Sequence, residues 1–433
     1  MENRAPAIVP VRTGGTLPAT TTVAIIGGGI IGLTAALTLA ERGIPAVVLE
    51  KGRIAGEQSS RNLGWVRKMG REEDDLPLAL ASDRLWAAMA ERVGADVGYR
   101  RAGIMYIART DAEMAAHRGW LQRVGAASPD SRLLSAADID RLVPGGTGGW
   151  AGGIFTSTDG RAEPTLASSA IASRAMALGA VIVENCAVRT LSTTAGRVSG
   201  VVTERGELRC NQVILAGGLW SRRFLGNHGV ALPTLPVVAS VLRTAPMEGP
   251  TDIAVGAPDF SFRKSHDGGY TITQRGAFVA PLVLDNLLIG LRYLPMLRTQ
   301  WKSIRLSLGR ALLDDLALPR RWRAGSPSPF ERVRTMDPPV NAGLNAEAMR
   351  NLAAAWPVFG QAVVRQAWAG MIDVTPDSLP VIAPVAKLPG LTLASGFSGH
   401  GFGTSPAAGQ LAADLATGSA PIVDPAPYRL ERL

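Results

Sequence analysis

Val23-Ala-Ile-Ile-Gly27-Gly28-Gly29-Ile-Ile-Gly32 runs on through residues 33–42 to Val47-Val-Leu-Glu50. Residues 23–26 form a continuous apolar run, as in a strand buried on both faces. The turn Gly27-x-Gly29-x-x-Gly32 follows at once. Leu33, Ala36, Leu37 and Ala40 then share one helical face, and Gly43 is a stop that tolerates a left-handed backbone. Residues 46–49 predict a second strand ending at Glu50. Gly27 permits the tight turn, Gly29 lets backbone approach a diphosphate, and Gly32 lets helix pack on strand. The helix start offers free N–H groups and the positive end of its dipole. Glu50 stands where an acid accepts hydrogen bonds from ribose hydroxyls, and it disfavours a 2′-phosphate, hence NADP. The plainer reading is a glycine-rich turn in an unrelated α/β fold. Strand, turn, helix and terminal acid in one short unit argue against it.

The rest of the chain sets limits. At 433 residues it is long enough for two or three domains and a large core. Its 46% hydrophobic and 19% charged content is that of a globular protein. Cys186 and Cys210 are too few for a disulfide framework, and four scattered histidines give no metal-ligand spacing, so no metal is expected. Residues 1–20 read as a flexible leader without a signal-peptide core. No run of apolar residues is long enough to span a bilayer, and a cytoplasmic location is expected. The net charge of +9 comes without a nucleic-acid-binding motif, so no nucleic-acid partner is expected.

A second strand-to-turn pattern appears at Gln212-Val-Ile-Leu-Ala216-Gly217-Gly-Leu-Trp220-Ser221, with Ser221 read as a helix cap. Before it, residues 163–178 predict a helix and 181–183 a strand. Residues 198–202 and 207–210 predict a hairpin. Near the end stands Gly396-Phe-Ser-Gly399-His400-Gly401-Phe402-Gly403, followed by a helix predicted to begin near Thr404-Ser-Pro406.

With Gly56-Glu-Gln-Ser59-Ser60-Arg61-Asn62, the segment 76–86 and Trp368-Ala-Gly370-Met-Ile-Asp-Val-Thr-Pro-Asp377, these pieces resemble the D-amino acid oxidase/sarcosine oxidase/glycine oxidase family of FAD-dependent amine oxidoreductases. The resemblance covers residues 22 to about 425, strongest at the ends. It implies an α/β fold, with a Rossmann-type FAD-binding domain (21–85, 150–232 and 362–433) interleaved with a mixed-sheet substrate domain (86–149 and 233–361). It places FAD contacts at Gly27, Gly29, Ile30, Ile31 and Gly32, and at Glu50 and Lys51. Further contacts fall at Ser59, Ser60, Arg61 and Asn62, and at Ala216, Gly217 and Trp220. The last set is Gly399, His400, Gly401, Phe402, Gly403 and Thr404.

The chemistry so implied is hydride transfer from the carbon of a C–N bond to flavin, giving an imine that water hydrolyses. The substrate would be an amino acid or secondary amine, and the electron acceptor dioxygen or another carrier. A helix N-terminus near the ring would stabilise the negative charge of reduced flavin. His400 either tunes charge there or is satisfied by backbone. Arg67 is expected to clamp a substrate carboxylate, with phosphate contact or a surface pair as the plainer roles. Trp65, Tyr270 and Trp368 are expected as pocket walls, with ordinary core as the alternative.

Three departures from the family follow. Gly403 replaces the lysine found after Gly-His-Gly-Phe in sarcosine oxidases, which argues for a larger pocket and a bulkier amine. No cysteine stands near Gly370, so the FAD is expected to be noncovalent. The strand 270–274 lacks a lysine that would promote oxygen reduction, which favours a dehydrogenase with another electron acceptor, or a slow oxidase. An FAD-dependent 2-hydroxy-acid or polyol-phosphate dehydrogenase is the competing reading, with His400 or His266 as the base that alcohol oxidation needs. A flavin-bearing subunit that acts within a complex is a third. Residues 291–323 hold eight basic side chains, with Trp301, Ile304, Leu308, Leu312 and Leu316 at helical spacing. They predict an amphipathic helix with a solvated basic face, or else a membrane or electron-acceptor docking surface.

Overall fold

Val23–Ile26 becomes an inner strand of a six-stranded sheet because it is apolar on both faces and both faces are covered. The computed structural model describes residues 2–3 and 5–433, apart from the side chains of Glu2, Asn3, Thr299, Gln300 and Lys302. The sheet order is Val381–Pro384, Leu391–Ser395, Gln212–Leu215, Val23–Ile26, Ala46–Leu49 and Val181–Val183. All neighbours are parallel except the first pair. The helices Ile30–Glu41, Pro164–Ala177 and Gly401–Thr417 share one apolar core with this sheet. On the other side a three-stranded sheet, Val188–Thr194, Arg197–Thr203 and Gly206–Arg209, closes a second core. The expected hairpin is its last two strands.

An eleven-stranded mixed sheet forms the rest of the framework. Its longest pairing sets Leu235–Thr244 antiparallel to Val364–Val374, with Ser240 opposite Ala369. The helix Ala342–Ala355 covers it over a core of Phe262, Tyr270, Trp356 and Phe359. The α/β class and the interleaving of chain segments are as expected. Within the stretches expected for the cofactor domain, however, Gly152–Thr156 and Val364–Val374 pair into the larger sheet.

The structure differs from sequence expectation at several places. The first helix begins at Ile30, earlier than residue 33, because Ser59 Oγ accepts the Ile30 N–H at 2.8 Å. Ser221 is the first residue of its helix, not a cap, and its Oγ pairs with Ser395 Oγ at 2.6 Å. The C-terminal helix starts at Gly401, so Pro406 lies inside it. The Phe402 carbonyl that a residue-406 amide would have met accepts instead from Ser405 Oγ at 2.8 Å. The opening residues are held rather than loose: Ser169 Oγ donates to Val9 O at 2.7 Å, and Gly14 bridges to Val183.

Residues 291–323 do not form one helix. Gly290, Pro295, Gly309 and Pro319 divide the stretch into short helical turns, the strand Ile304–Ser307 and the helix Arg310–Ala317. Seven of its leucines are exposed, while Leu318 packs on the core beside the three-stranded sheet. Lys302, read as part of that basic face, has its side chain outside the described residues.

Candidate functional site

A cavity of about 430 Å³ runs from the Gly27 turn to the large sheet. At its first end, Gly27 holds φ +110, and a Cβ there would lie 2.5 Å from Ala216 O. A Cβ on Gly32 would lie 2.1 Å from Gly27 O. Only glycine lets turn, helix and neighbouring strand converge this closely. Glu50 accepts the Gly28 N–H at 2.8 Å and the Gly52 N–H at 2.7 Å. Burial raises its pKa, against the lowering influence of Lys51 and the two amides. Each carboxylate oxygen keeps a lone pair for a further donor.

Lys51 binds Glu57 Oε1 at 2.7 Å and lies 4.5 Å from the centre of the Trp220 ring. Arg61 is buried: it donates to Met336 O at 2.6 Å and Gly56 O at 2.8 Å, and pairs with Asp337. Asn62 caps its own turn through Ser59 O at 2.9 Å.

At the middle of the cavity the Gly396–Gly403 loop turns over the strand Val364–Val374. Gly396, Ser398 and Gly399 all take left-handed φ values, +77, +50 and +82. Asp373 fixes this turn: it accepts the Gly396 N–H at 2.8 Å and Gln58 Nε2 at 2.7 Å. Burial raises the Asp373 pKa. The loop delivers the N-terminus of the helix Gly401–Thr417 to the cavity, with Gly401, Phe402 and Gly403 on its lining. A Cβ on Gly403 would meet Trp65 O at 2.7 Å, so a larger side chain is excluded by backbone there.

The far end is cationic. Arg67, Arg71 and Arg275 all line it, with Trp65, Tyr106 and His400. Arg275 stacks 3.8 Å from the Tyr106 ring centre, and Arg67 lies 5.7 Å from the same ring. Gly256 makes room, since a Cβ there would meet Arg275 Nη1 at 2.9 Å. Arg71 has one acidic neighbour, Asp75, at 3.4 Å. Among the described residues, no carboxylate lies within ion-pair distance of Arg67 or Arg275. Burial, and then repulsion from Arg67, brings Arg71 down to about 10. Burial also lowers Arg275. His400 sits well below its ordinary value through burial and the charges of Arg71 and Arg67, so its imidazole is neutral. Two buried donors on this lining make no hydrogen bond within the protein: Trp65 Nε1, and Arg71 Nη1, which has only the 3.4 Å ion-pair contact to Asp75.

Most expected site residues meet on this lining. Gly32, Ser60 and Thr404 stand behind it. Ser60 Oγ donates to Glu57 O at 3.3 Å and Thr404 Oγ1 to His400 O at 3.1 Å. Tyr270 is not part of the cavity. It is fully buried in the core against Phe262 and Phe359, its hydroxyl donates to Thr251 O at 3.0 Å, and burial pushes its pKa up to about 12. The alternation of the strand Tyr270–Thr273 sends Tyr270 and Ile272 to the core and brings Thr273 to the cavity. Trp368 is likewise off the lining, its indole N–H bound to Arg61 O at 3.0 Å. Sequence reasoning missed Arg71, Tyr106, Arg275 and Asp373. Arg275 directly follows the strand already singled out, which was the available signal.

The residues present fit a flavin dinucleotide: a glycine turn shaped by backbone contact, an acid with lone pairs to spare, a second helix N-terminus and unpartnered donors on one continuous lining. Among the described residues no cluster could hold a metal ion, and no helix is long and apolar enough to cross a membrane.

The chain matches the family of FAD-dependent oxidoreductases over residues 22–415. It is 27% identical to a glycine oxidase of Pseudomonas aeruginosa over 418 residues, covering 94% of this chain and 97% of that one. The structure of an L-amino acid deaminase from Proteus myxofaciens in complex with anthranilate is similar with a TM-score of 0.95 and 32% identity, over 100% of this chain and 98% of that one. An L-amino acid deaminase from Proteus vulgaris gives 0.93 and 31%, over 99% and 100%.

Proposed function

The chain belongs to the DAO family of FAD-dependent oxidoreductases, and from that premise we propose that its substrate is an amino acid whose carboxylate is held by Arg275 and Arg67. The protein is an FAD-dependent enzyme that oxidises the C–N bond of an amino acid or amine. FAD bound in this cavity would supply the acceptor for the hydride that leaves the carbon beside nitrogen. The observation that carries the carboxylate assignment is the pair of cavity-lining guanidinium groups without an acidic partner. A buried cation left unpaired is costly, and a substrate carboxylate removes that cost with charge-assisted hydrogen bonds. The relatives named above as acting on amino acids support the same reading.

The remaining roles follow from placement. Gly27, Gly29, Ile30 and Ile31 hold the diphosphate and Glu50 the ribose. Gly399 to Gly403 and the helix behind them face the ring. Asp373 positions that loop. The FAD is held noncovalently: Cys186 and Cys210 are buried in the core beside the three-stranded sheet, away from the lining. Trp65 and Tyr106 form the aromatic wall, and neutral His400 keeps the cationic end from gaining another charge. The six-stranded sheet with its helices is the cofactor unit and the larger sheet the substrate unit.

The electron acceptor in this reading is a carrier other than dioxygen, because among the described residues Lys51 is the sole lysine on the lining and it lies beside Glu50. Of the two histidines that alcohol oxidation would call on as base, His266 is off the lining, and His400, though on it, lies beside Arg67 and Arg71 with its pKa held well below the ordinary value, which makes it a poor acceptor for a hydroxyl proton. Anaerobic titration against D- and L-amino acids, N-alkyl amino acids, amines lacking a carboxylate and 2-hydroxy acids tests all of this. Bleaching of the flavin band by carboxylate-bearing amines, with slow recolouring in air, is expected. Equal bleaching by amines without a carboxylate would overturn the clamp, and fast recolouring would overturn the acceptor assignment.

A further inference from the structure

We propose that residues 287–316 form a surface that docks this enzyme on an anionic lipid bilayer. Of the thirteen large hydrophobic residues exposed among the described ones, ten fall between Leu287 and Leu316. Leu287 and Leu308 are 83% exposed and Leu291 80%. Leu288, Leu306, Leu313 and Leu316 each expose more than half of their surface. A patch of this kind marks an interaction site rather than ordinary surface.

The segment is built the wrong way round for water. Asp285, Tyr293 and Asp315 point inward and are paired. Asp285 binds Arg222 at 2.8 Å and Arg320 at 2.7 Å, and Asp315 binds Arg223 and, at 2.9 Å, Arg320. The buried Tyr293 hydroxyl lies 2.6 Å from Val374 O. The leucines point outward from this anchored frame, and the helix Arg310–Ala317 packs beside Leu284–Ile289, which makes one continuous face. A face ordered by its polar side and apolar on its outer side is matched by an apolar outer phase.

Charge selects the occupant. From Leu287 to Leu316 the chain carries Arg292, Arg298, Lys302, Arg305 and Arg310 against Asp314 and Asp315, and Asp315 is turned inward onto Arg223 and Arg320. Arg292 reaches the terminal Leu433 O, Arg305 pairs with Glu347 at 3.1 Å, and Arg310 lies 3.5 Å from Asp314. All three retain exposed surface beside exposed Arg298. A second copy meeting this face about a two-fold axis would set like charges together. An anionic headgroup layer above an apolar phase satisfies arginines and leucines at once. The strand Phe278–Pro281 carries the cavity-lining Phe278 and pairs with Ile304–Ser307, so the docked face adjoins the cavity wall.

The test is co-sedimentation of the full-length holoenzyme with phosphatidylcholine vesicles, with and without phosphatidylglycerol. Hydrogen exchange is followed on the bound protein. The unaltered protein is expected to sediment with the anionic vesicles and to gain protection over residues 287–316. The triple variant Leu287→Ser, Leu291→Ser, Leu308→Ser should bind at least about tenfold more weakly, with unchanged flavin content. Arg298→Gln with Arg310→Gln should lose preference for phosphatidylglycerol by roughly fivefold per charge. The proposal is overturned if the unaltered protein stays in solution with both vesicles, or if bound protein is protected elsewhere. A vesicle-independent dimer that the leucine variant splits would overturn it too, in favour of a second copy. The exchange measurement needs no variant, so a folding defect in the serine triple leaves the result decisive.

Discussion

Arg275 joins one strand of the large sheet to the chemistry of the cavity, because its guanidinium stacks on Tyr106 while facing open space. A charge-assisted hydrogen bond to a carboxylate contributes about 1.5–3 kcal/mol. Arg275→Gln is therefore expected to raise KM for an amino acid by roughly 10- to 150-fold. KM for an amine lacking a carboxylate should not change, and steady-state kinetics on the two substrates separates binding from misfolding. His400 gives a second prediction. Burial and two arginines hold its folded-state pKa well below the ordinary value. As pH falls below about 6.5, the unfolded chain takes up a proton that the folded protein refuses. Stability attributable to His400 is thus complete above that pH and declines below it, by at most about 1.4 kcal/mol per pH unit. Urea midpoints for the natural protein and His400→Gln should converge toward acid pH as the penalty disappears from the variant alone. Parallel pH profiles would refute the assignment. These residues also show the limit of sequence reading. Arg67 and His400 were legible from motif neighbours, whereas Arg71 and Arg275 act through a cavity that three separated segments create.

Helices meet at the cofactor end, and their approach is set by glycine. In the helix Gly401–Thr417, a Cβ on Gly409 would lie 2.1 Å from Thr34 Oγ1 and 2.7 Å from Ala35 N in the helix Ile30–Glu41. Thr34 Oγ1 also lies 2.8 Å from Ser405 O, which ties the two helices at their N-terminal halves. Alanine gains up to about 1 kcal/mol over glycine in a helix. Overpacking against backbone costs about 1–3 kcal/mol, so the contact outweighs the propensity gain. Gly409→Ala should lower the thermal midpoint and release FAD more readily on dialysis. Gly226→Ala, in the helix Ser221–Asn227 with nothing near the added methyl, should leave the midpoint equal or higher. The helices and strands of the six-stranded sheet were legible because their apolar periods are local. Residues 291–323 misled for a physical reason. Helical spacing of leucines states which side is apolar, not whether that side faces protein, and glycines and prolines had already divided the run.

At the scale of the molecule, the two large sheets are pinned by a pair that no local pattern reveals. Glu163 precedes the helix Pro164–Ala177, and Arg263 lies in the strand Ser261–Lys264 of the larger sheet. Both are buried. Arg263 Nη2 donates to Glu163 Oε2 at 3.0 Å, Nη1 binds Oε1, and Nε donates to Leu63 O at 2.5 Å. Glu163 also accepts the His266 N–H at 2.8 Å. Burial alone would raise the Glu163 pKa, but Arg263 and these hydrogen bonds hold it below its ordinary value. The pair therefore contributes stability at pH above the ordinary glutamate range, and that contribution is lost as pH falls through the lowered value. The residues are a hundred positions apart, so hydropathy and spacing could give the class of each sheet but not what locks one to the other. Glu163→Gln leaves a buried guanidinium without its counter-charge, a loss of about 3–5 kcal/mol. Its midpoint in urea should fall markedly at neutral pH and less at pH near 4, where the glutamate of the unfolded chain has begun to take up a proton. Replacing Arg263 and Glu163 together by Met and Gln should recover part of the loss, because no isolated charge remains. A double variant no more stable than Glu163→Gln would mean that the backbone hydrogen bonds to Leu63 and His266, rather than the ion pair, hold the sheets in register.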